Sequence, residues 1–124
     1  MWCVSPRDPR VRLDDIVRYA SDAIAFVDGV SFDAFAADAR TQRAVFYSLL
    51  VVGEAAKHVP DAVRDRAPGV EWKRAMQFRD RVAHGYDALK LPEVWKILTQ
   101  DLPPLRDQVA ALLAALDAED PPPR

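Results

Sequence analysis

The sequence predicts an all-α protein, a bundle of four to five helices, and three observations carry that prediction. Apolar residues recur at intervals of three and four along most of the chain. The segment from Ala44 to Val59 is apolar over so wide a face that it belongs at the centre of a bundle. No alternating run of β-branched residues bounded by turn signals occurs, and no internal repeat is evident. With 124 residues the chain has one domain's length, enough to bury a modest core without disulfides or metal.

The elements follow in order. Leu13, Ile16, Val17, Ala20, Ile24 and Val27 have the spacing of an amphipathic helix, with Asp8-Pro9 as cap and first turn and Gly29 as its stop. Residues 1–9 form the flexible start, and the helical domain runs over 10–118. Ser31 to Ala37 makes a short helical turn. Asp38 then caps a long helix carrying Ala44, Val45, Ser48, Leu49, Val52, Ala55, Ala56 and Val59, which Pro60 ends. Pro60 to Ala67 reads as a short helix and Pro68-Gly69 as a turn. Trp72, Met76 and Ala83, with Phe78 and Val82, predict one helix that Gly85 terminates. Pro92 opens a helix through Val94, Trp95, Ile97 and Leu98, and Pro103-Pro104 forces a kink or restart before Leu105, Val109, Leu112, Leu113 and Leu116. Residues 119–124 are a proline-rich disordered tail.

Composition narrows the function classes. Cys3 is the single cysteine, which excludes an internal disulfide framework and suits a reducing cytoplasm. The longest apolar run, Ala44 to Val52, is interrupted by Ser48 and too short to span a bilayer, and Met1 to Val4 lacks a signal peptide's regions, so a soluble cytoplasmic protein is expected. A net charge of −2 argues against binding nucleic acid over the whole surface. Its distribution is uneven. From Lys57 to Arg81 seven basic residues meet four acidic ones, an excess of +3 that leaves −5 for the remainder. Lys73, Arg74 and Arg81 in that stretch are the candidate phosphate-binding residues.

Chemistry is concentrated in Arg79-Asp80-Arg81-Val82-Ala83-His84-Gly85-Tyr86, where a guanidinium, an imidazole and a phenol fall within two helical turns. Asp80 and His84 are four apart and share a helix face, whereas Arg79 and His84 are five apart and diverge by roughly 140° on a straight helix. The divergence is relieved if the helix ends near Gly85, if Arg79 reaches around, or if two copies of the motif meet across a two-fold axis. Metal-free chemistry at a phosphate ester, which a guanidinium beside an imidazole suits, needs a base for the attacking hydroxyl, an acid for the leaving oxygen and a cation for the charge on phosphorus. One chain offers one motif histidine. His58 lies at the end of a core helix far from the motif in sequence, so a second His84 from a symmetry mate is the economical source of the missing group.

The bland readings are specific too. Arg79 on its own would be a surface ion-pair residue with Asp80 or Asp87, and a histidine at a helix end would cap carbonyls. Glu54 beside Gly53 reads as a dimer or packing residue, and Trp72 and Trp95 as core. Ser48 has no partners for nucleophilic catalysis, and a zinc ligand set is absent. No cofactor or metal is expected.

The R-x4-H-x-Y spacing of Arg79, His84 and Tyr86 resembles the HEPN ribonucleases, and specifically their HepT-like toxin branch. Arg12-Leu13-Asp14-Asp15-Ile16, Gly53-Glu54-Ala55-Ala56-Lys57, Gly69-Val70-Glu71-Trp72, Val94-Trp95 and Asp101-Leu102-Pro103-Pro104-Leu105 extend the resemblance from Arg12 to Leu105. It implies a HEPN-type helical bundle and a metal-independent endoribonuclease acting on tRNA or mRNA. Arg79 would hold the phosphate, His84 would be the general acid/base, and the paired motifs would lie at a homodimer interface. Asp80 departs from the asparagine most HepT-like proteins carry; ionised, it favours the imidazolium of His84 and repels an incoming phosphate. Tyr86 matches the tyrosine that accepts AMP from a cognate minimal nucleotidyltransferase antitoxin. This chain lacks that partner's glycine-serine and paired-aspartate signature, so the partner would be a separate polypeptide. The alternative from another class is a non-enzymatic helical subunit that partners a nucleotidyltransferase.

Overall fold

The computed structural model describes residues 8–84 and 90–121, and all of its regular structure is helical. α1 (Pro9–Phe26) starts where expected: the Asp8 carboxylate accepts the Arg10 N–H at 2.9 Å, and Pro9 fills the first turn, where its missing N–H costs nothing. It stops ahead of Gly29, whose φ of 70° lies in the left-handed region that favours glycine. Leu13, Ile16, Ala20 and Ala23 are its buried stripe. Ser31 caps α2 (Phe32–Ala36) by accepting the Ala34 N–H. Asp38 caps α3 (Ala39–Lys57), accepting both the N–H and the hydroxyl of Thr41.

α3 is central, as its wide apolar face predicts. It packs against α1, against α2 and, on its other side, against the two helices that follow Trp72. Val45, Leu49, Val52 and Ala56 are fully buried there, and Ser48 is buried with its hydroxyl donating to the Ala44 carbonyl. The short helix expected over Pro60 to Ala67 is only α4 (Asp61–Arg64). Pro68 disfavours helical geometry in the residue before it, and the Trp72 indole N–H donates to the Ala67 carbonyl at 3.1 Å, which holds the connection as a loop.

The single helix expected through the motif is instead two, α5 (Trp72–Met76) and α6 (Phe78–His84), with a turn at Gln77. The break lets both pieces follow α3 while Trp72, Ala75, Phe78 and Val82 stay buried against it. Ala83, expected on that stripe, is exposed, and Met76 is half-buried. The terminating role assigned to Gly85 lies outside the described residues.

α7 (Leu91–Lys96) runs into a π-helical turn, Ile97–Asp101, and on into α8 (Leu102–Glu119). The kink or restart expected of Pro103 and Pro104 is this π turn, after which α8 opens with the prolines in its first turn. Their rings would press on the carbonyls four residues back, at Thr99 and Gln100, and both fall in the widened turn. α8 lies against α1, and Trp95 closes the end of the bundle on the rings of Phe32 and Phe35, with centroids 5.8 and 5.3 Å away. Trp72 and Trp95 are therefore packing residues, as their apolar positions predict. Glu119, expected in the tail, is the last residue of α8 and is ion-paired with Arg66.

Among the described residues no helix is long and apolar enough to cross a membrane.

Candidate functional site

The site begins at a glycine. Where α3 passes α6, a Cβ on Gly53 would stand 3.0 Å from the backbone N of Arg79 and 3.4 Å from the Ala75 carbonyl oxygen. Only a residue without a side chain permits that approach. It has a chemical consequence, because the next residue, Glu54, is carried up to Arg79 and its carboxylate accepts from the Arg79 Nη1. The guanidinium is thus held by Glu54 from another helix; Asp87, one of the expected partners, lies outside the described residues. Asp80 follows Arg79 directly and so lies about 100° further round α6.

Glu54 reaches a second group. Its other carboxylate oxygen lies 4.0 Å from Nδ1 of His58, one turn on in α3. The same ring nitrogen is 3.0 Å from the Glu54 backbone carbonyl. A carbonyl can only accept, so Nδ1 is the donor here, and in the neutral ring this leaves the lone pair on Nε2. His58 is the C-cap residue of α3, with half of its side chain exposed. The histidine set aside for its distance along the chain is thus one carboxylate away from Arg79.

Around these groups is an open depression of about 310 Å³, lined by Gly53, Glu54, Lys57, Lys73, Arg79 and Asp80 among others. Of the candidate RNA contacts, Lys73 faces this depression. Arg74 does not: one residue further round α5, it lines a different cleft beside Phe78 and pairs with Asp101 at 3.1 Å. Arg81 is half-buried and sits roughly 200° from Arg79 on an ideal helix, which directs it to the other side of α6. The local excess of positive charge is dispersed in the same way. Arg64 pairs with Asp61, and Arg66 with Glu119, whose carboxyl is held below the usual range by that guanidinium. His84 is the last residue of α6. Its side chain and Tyr86 lie outside the described residues. α6 is helical from Asp80 to His84, the register that the four-residue spacing assumes.

The HepT-like ribonuclease family profile matches residues 16–112, which includes α3, α6 and the Gly53 crossing between them. The chain belongs to the HepT-like ribonuclease family. A candidate RNase of Methanocaldococcus jannaschii is 32% identical over 114 residues, covering 92% of this chain and 94% of the relative. A candidate RNase of Caldanaerobacter subterraneus subsp. tengcongensis is 32% identical over 107 residues, 86% of this chain and 96% of its own. A ribonuclease HepT candidate of Thermococcus cleftensis is 29% identical over 100 residues, 81% and 91% of the two chains. No solved structure matches the chain significantly.

In this HepT-like chain the structure brings Arg79, Asp80 and Lys73 to one depression with Glu54, which the motif does not name, and sets His58 beside Glu54. A signal for them existed. Glu54 and His58 are four apart in one predicted helix, and a glycine in the middle of that helix marks a close crossing. Nothing in the sequence said which helix would cross there.

Proposed function

We propose that this protein is a metal-independent endoribonuclease toxin, cutting RNA with Arg79 and His84, at a site completed by pairing two copies of the chain. The observation that carries the reading is the seating of Arg79. In a chain of the HepT-like ribonuclease family, its guanidinium projects into an open depression and is oriented by Glu54 across the Gly53 crossing. An exposed ion pair of this kind is worth about 0–1 kcal/mol. A phosphate gripped by two N–H donors is accommodated beside it, since guanidinium carries five donors and Glu54 engages Nη1. His84 would move the protons of the reaction, and Lys73 would neutralise a neighbouring phosphate.

The dimer reading is supported by what α3 leaves uncovered. The apolar faces of α1 and α3 are largely spent on each other and on the core. Tyr47, 61% exposed, and Leu50, 39% exposed, remain on the outer side of α3. Tyr47 and Glu54 are seven residues apart, about two turns, so this apolar strip leads along one face to the Arg79 site. A two-fold axis through Tyr47 and Leu50 would bring two sites close enough to share residues.

Regulation would come from a separate nucleotidyltransferase acting as antitoxin. The acceptor is Tyr86, two residues past His84, where an attached AMP phosphate would compete with RNA for Arg79. Co-expression with that partner should add one or more AMP mass increments to Tyr86 and silence cleavage. Tyr86→Phe should stay active and resist silencing. An unmodified Tyr86 in a fully silenced pair would show inhibition by complex formation alone.

The activity itself is tested by incubating the purified protein with total RNA in chelator. Cleavage is expected, lowered about 10²–10⁴-fold by His84→Ala. Arg79→Lys keeps the charge but not the planar fork and should be nearly as damaging as Arg79→Ala. RNA left intact by the wild type would leave a non-enzymatic helical partner as the reading of the chain.

A further inference from the structure

We propose that His58 is a catalytic residue of the same site, the base that takes the 2′-hydroxyl proton. Metal-free cleavage needs two proton-transfer groups, and the motif supplies one per chain. The second does not have to be another His84. Glu54 holds Arg79 with one carboxylate oxygen and stands 4.0 Å from the His58 ring with the other, so the guanidinium and the imidazole flank the same carboxylate. The ring is also set for the task. With Nδ1 donating to the Glu54 carbonyl at 3.0 Å, its orientation is fixed and the lone pair of Nε2 is free. The arrangement matches a general base oriented by a hydrogen bond on its far nitrogen.

The step balances within the groups named. The 2′-oxygen attacks phosphorus as its proton passes to Nε2 of His58; the bond from phosphorus to the 5′-oxygen breaks, and that oxygen takes a proton from His84. The products are a 2′,3′-cyclic phosphate and a free 5′-hydroxyl. In the paired assembly each site would draw Arg79, Glu54 and His58 from one chain and His84 from its partner. This inference rests on the ribonuclease reading above.

His58→Asn is the informative variant. Asparagine places an amide N–H where Nδ1 was, keeping the cap on the Glu54 carbonyl, and removes the proton-accepting Nε2. Its helicity and thermal melting should match the wild type. Its kcat on an RNA oligonucleotide should fall about 10²–10⁴-fold with KM little changed, and added imidazole should restore part of the loss. Near-wild-type cleavage by His58→Asn would overturn the proposal, as would a loss that imidazole does not restore, which would assign His58 a structural role. Wild-type protein that cleaves nothing would instead bring down the underlying ribonuclease reading, and this inference with it.

Discussion

At the scale of single residues, Gly53 decides whether Arg79 is a surface arginine or part of a site. An interior helical glycine is ordinarily about 0.5–1 kcal/mol worse than alanine. Here the added methyl would meet the Arg79 backbone N at 3.0 Å and the Ala75 carbonyl at 3.4 Å, and neither atom belongs to a flexible side chain. Overpacking typically costs about 1–3 kcal/mol, so the crowding wins. Gly53→Ala should therefore lower the melting temperature and, by moving α6 off α3, reduce cleavage even though it removes no functional group. A more stable Gly53→Ala with unchanged activity would show that the crossing relaxes freely. Asp80 adds a negative charge to the same depression as Glu54, leaving Lys57, Lys73 and Arg79 to attract phosphate.

Among the elements, the ends of α1 and α8 are joined by one arginine. Arg10 bonds the Asp8 carboxylate at 2.8 Å in α1's cap and reaches Asp117 in α8 at 3.3 Å. The Arg10 hydrogen bond is the main cause that holds the Asp8 carboxyl below its usual range. A carboxyl depressed in the folded state contributes stability that is fully present above its unfolded value, about 3.9, and is lost as pH falls through the lower folded value. The wild type should therefore lose part of its thermal stability from about pH 4 downward, while Asp8→Asn, which keeps a side-chain cap, should show a shallower loss over that window. Parallel melting curves for the two proteins against pH would exclude the link. The caps at Asp8-Pro9 and Asp38 were legible in the sequence because each acts on a neighbour two or three residues away. The turn at Gln77 was not, because it answers to packing against α3, which local spacing does not encode. The π turn falls where Pro103 and Pro104 mark a kink, although its form does not follow from them alone. The candidate site divides the same way: Arg79 and His84 stand out as a motif, but Glu54 and His58 join it only through a crossing 25 residues away in sequence.

For the whole molecule, the question is how a shallow surface becomes a reaction centre. One chain places Arg79 and Glu54 beside an open depression, with His58 next to Glu54, and leaves Tyr47 and Leu50 exposed on α3. The proposed pairing across α3 covers that apolar strip and encloses the depression. The most direct test is a complementation of inactive subunits. Arg79→Ala and His84→Ala chains are each purified, shown to be inactive on RNA, then mixed and allowed to exchange. A composite site predicts recovered cleavage in the mixed dimer, because one of its two sites regains Arg79 from one chain and His84 from the other. No recovery, together with a monomeric mass for the wild type at micromolar concentration, would contradict the shared site.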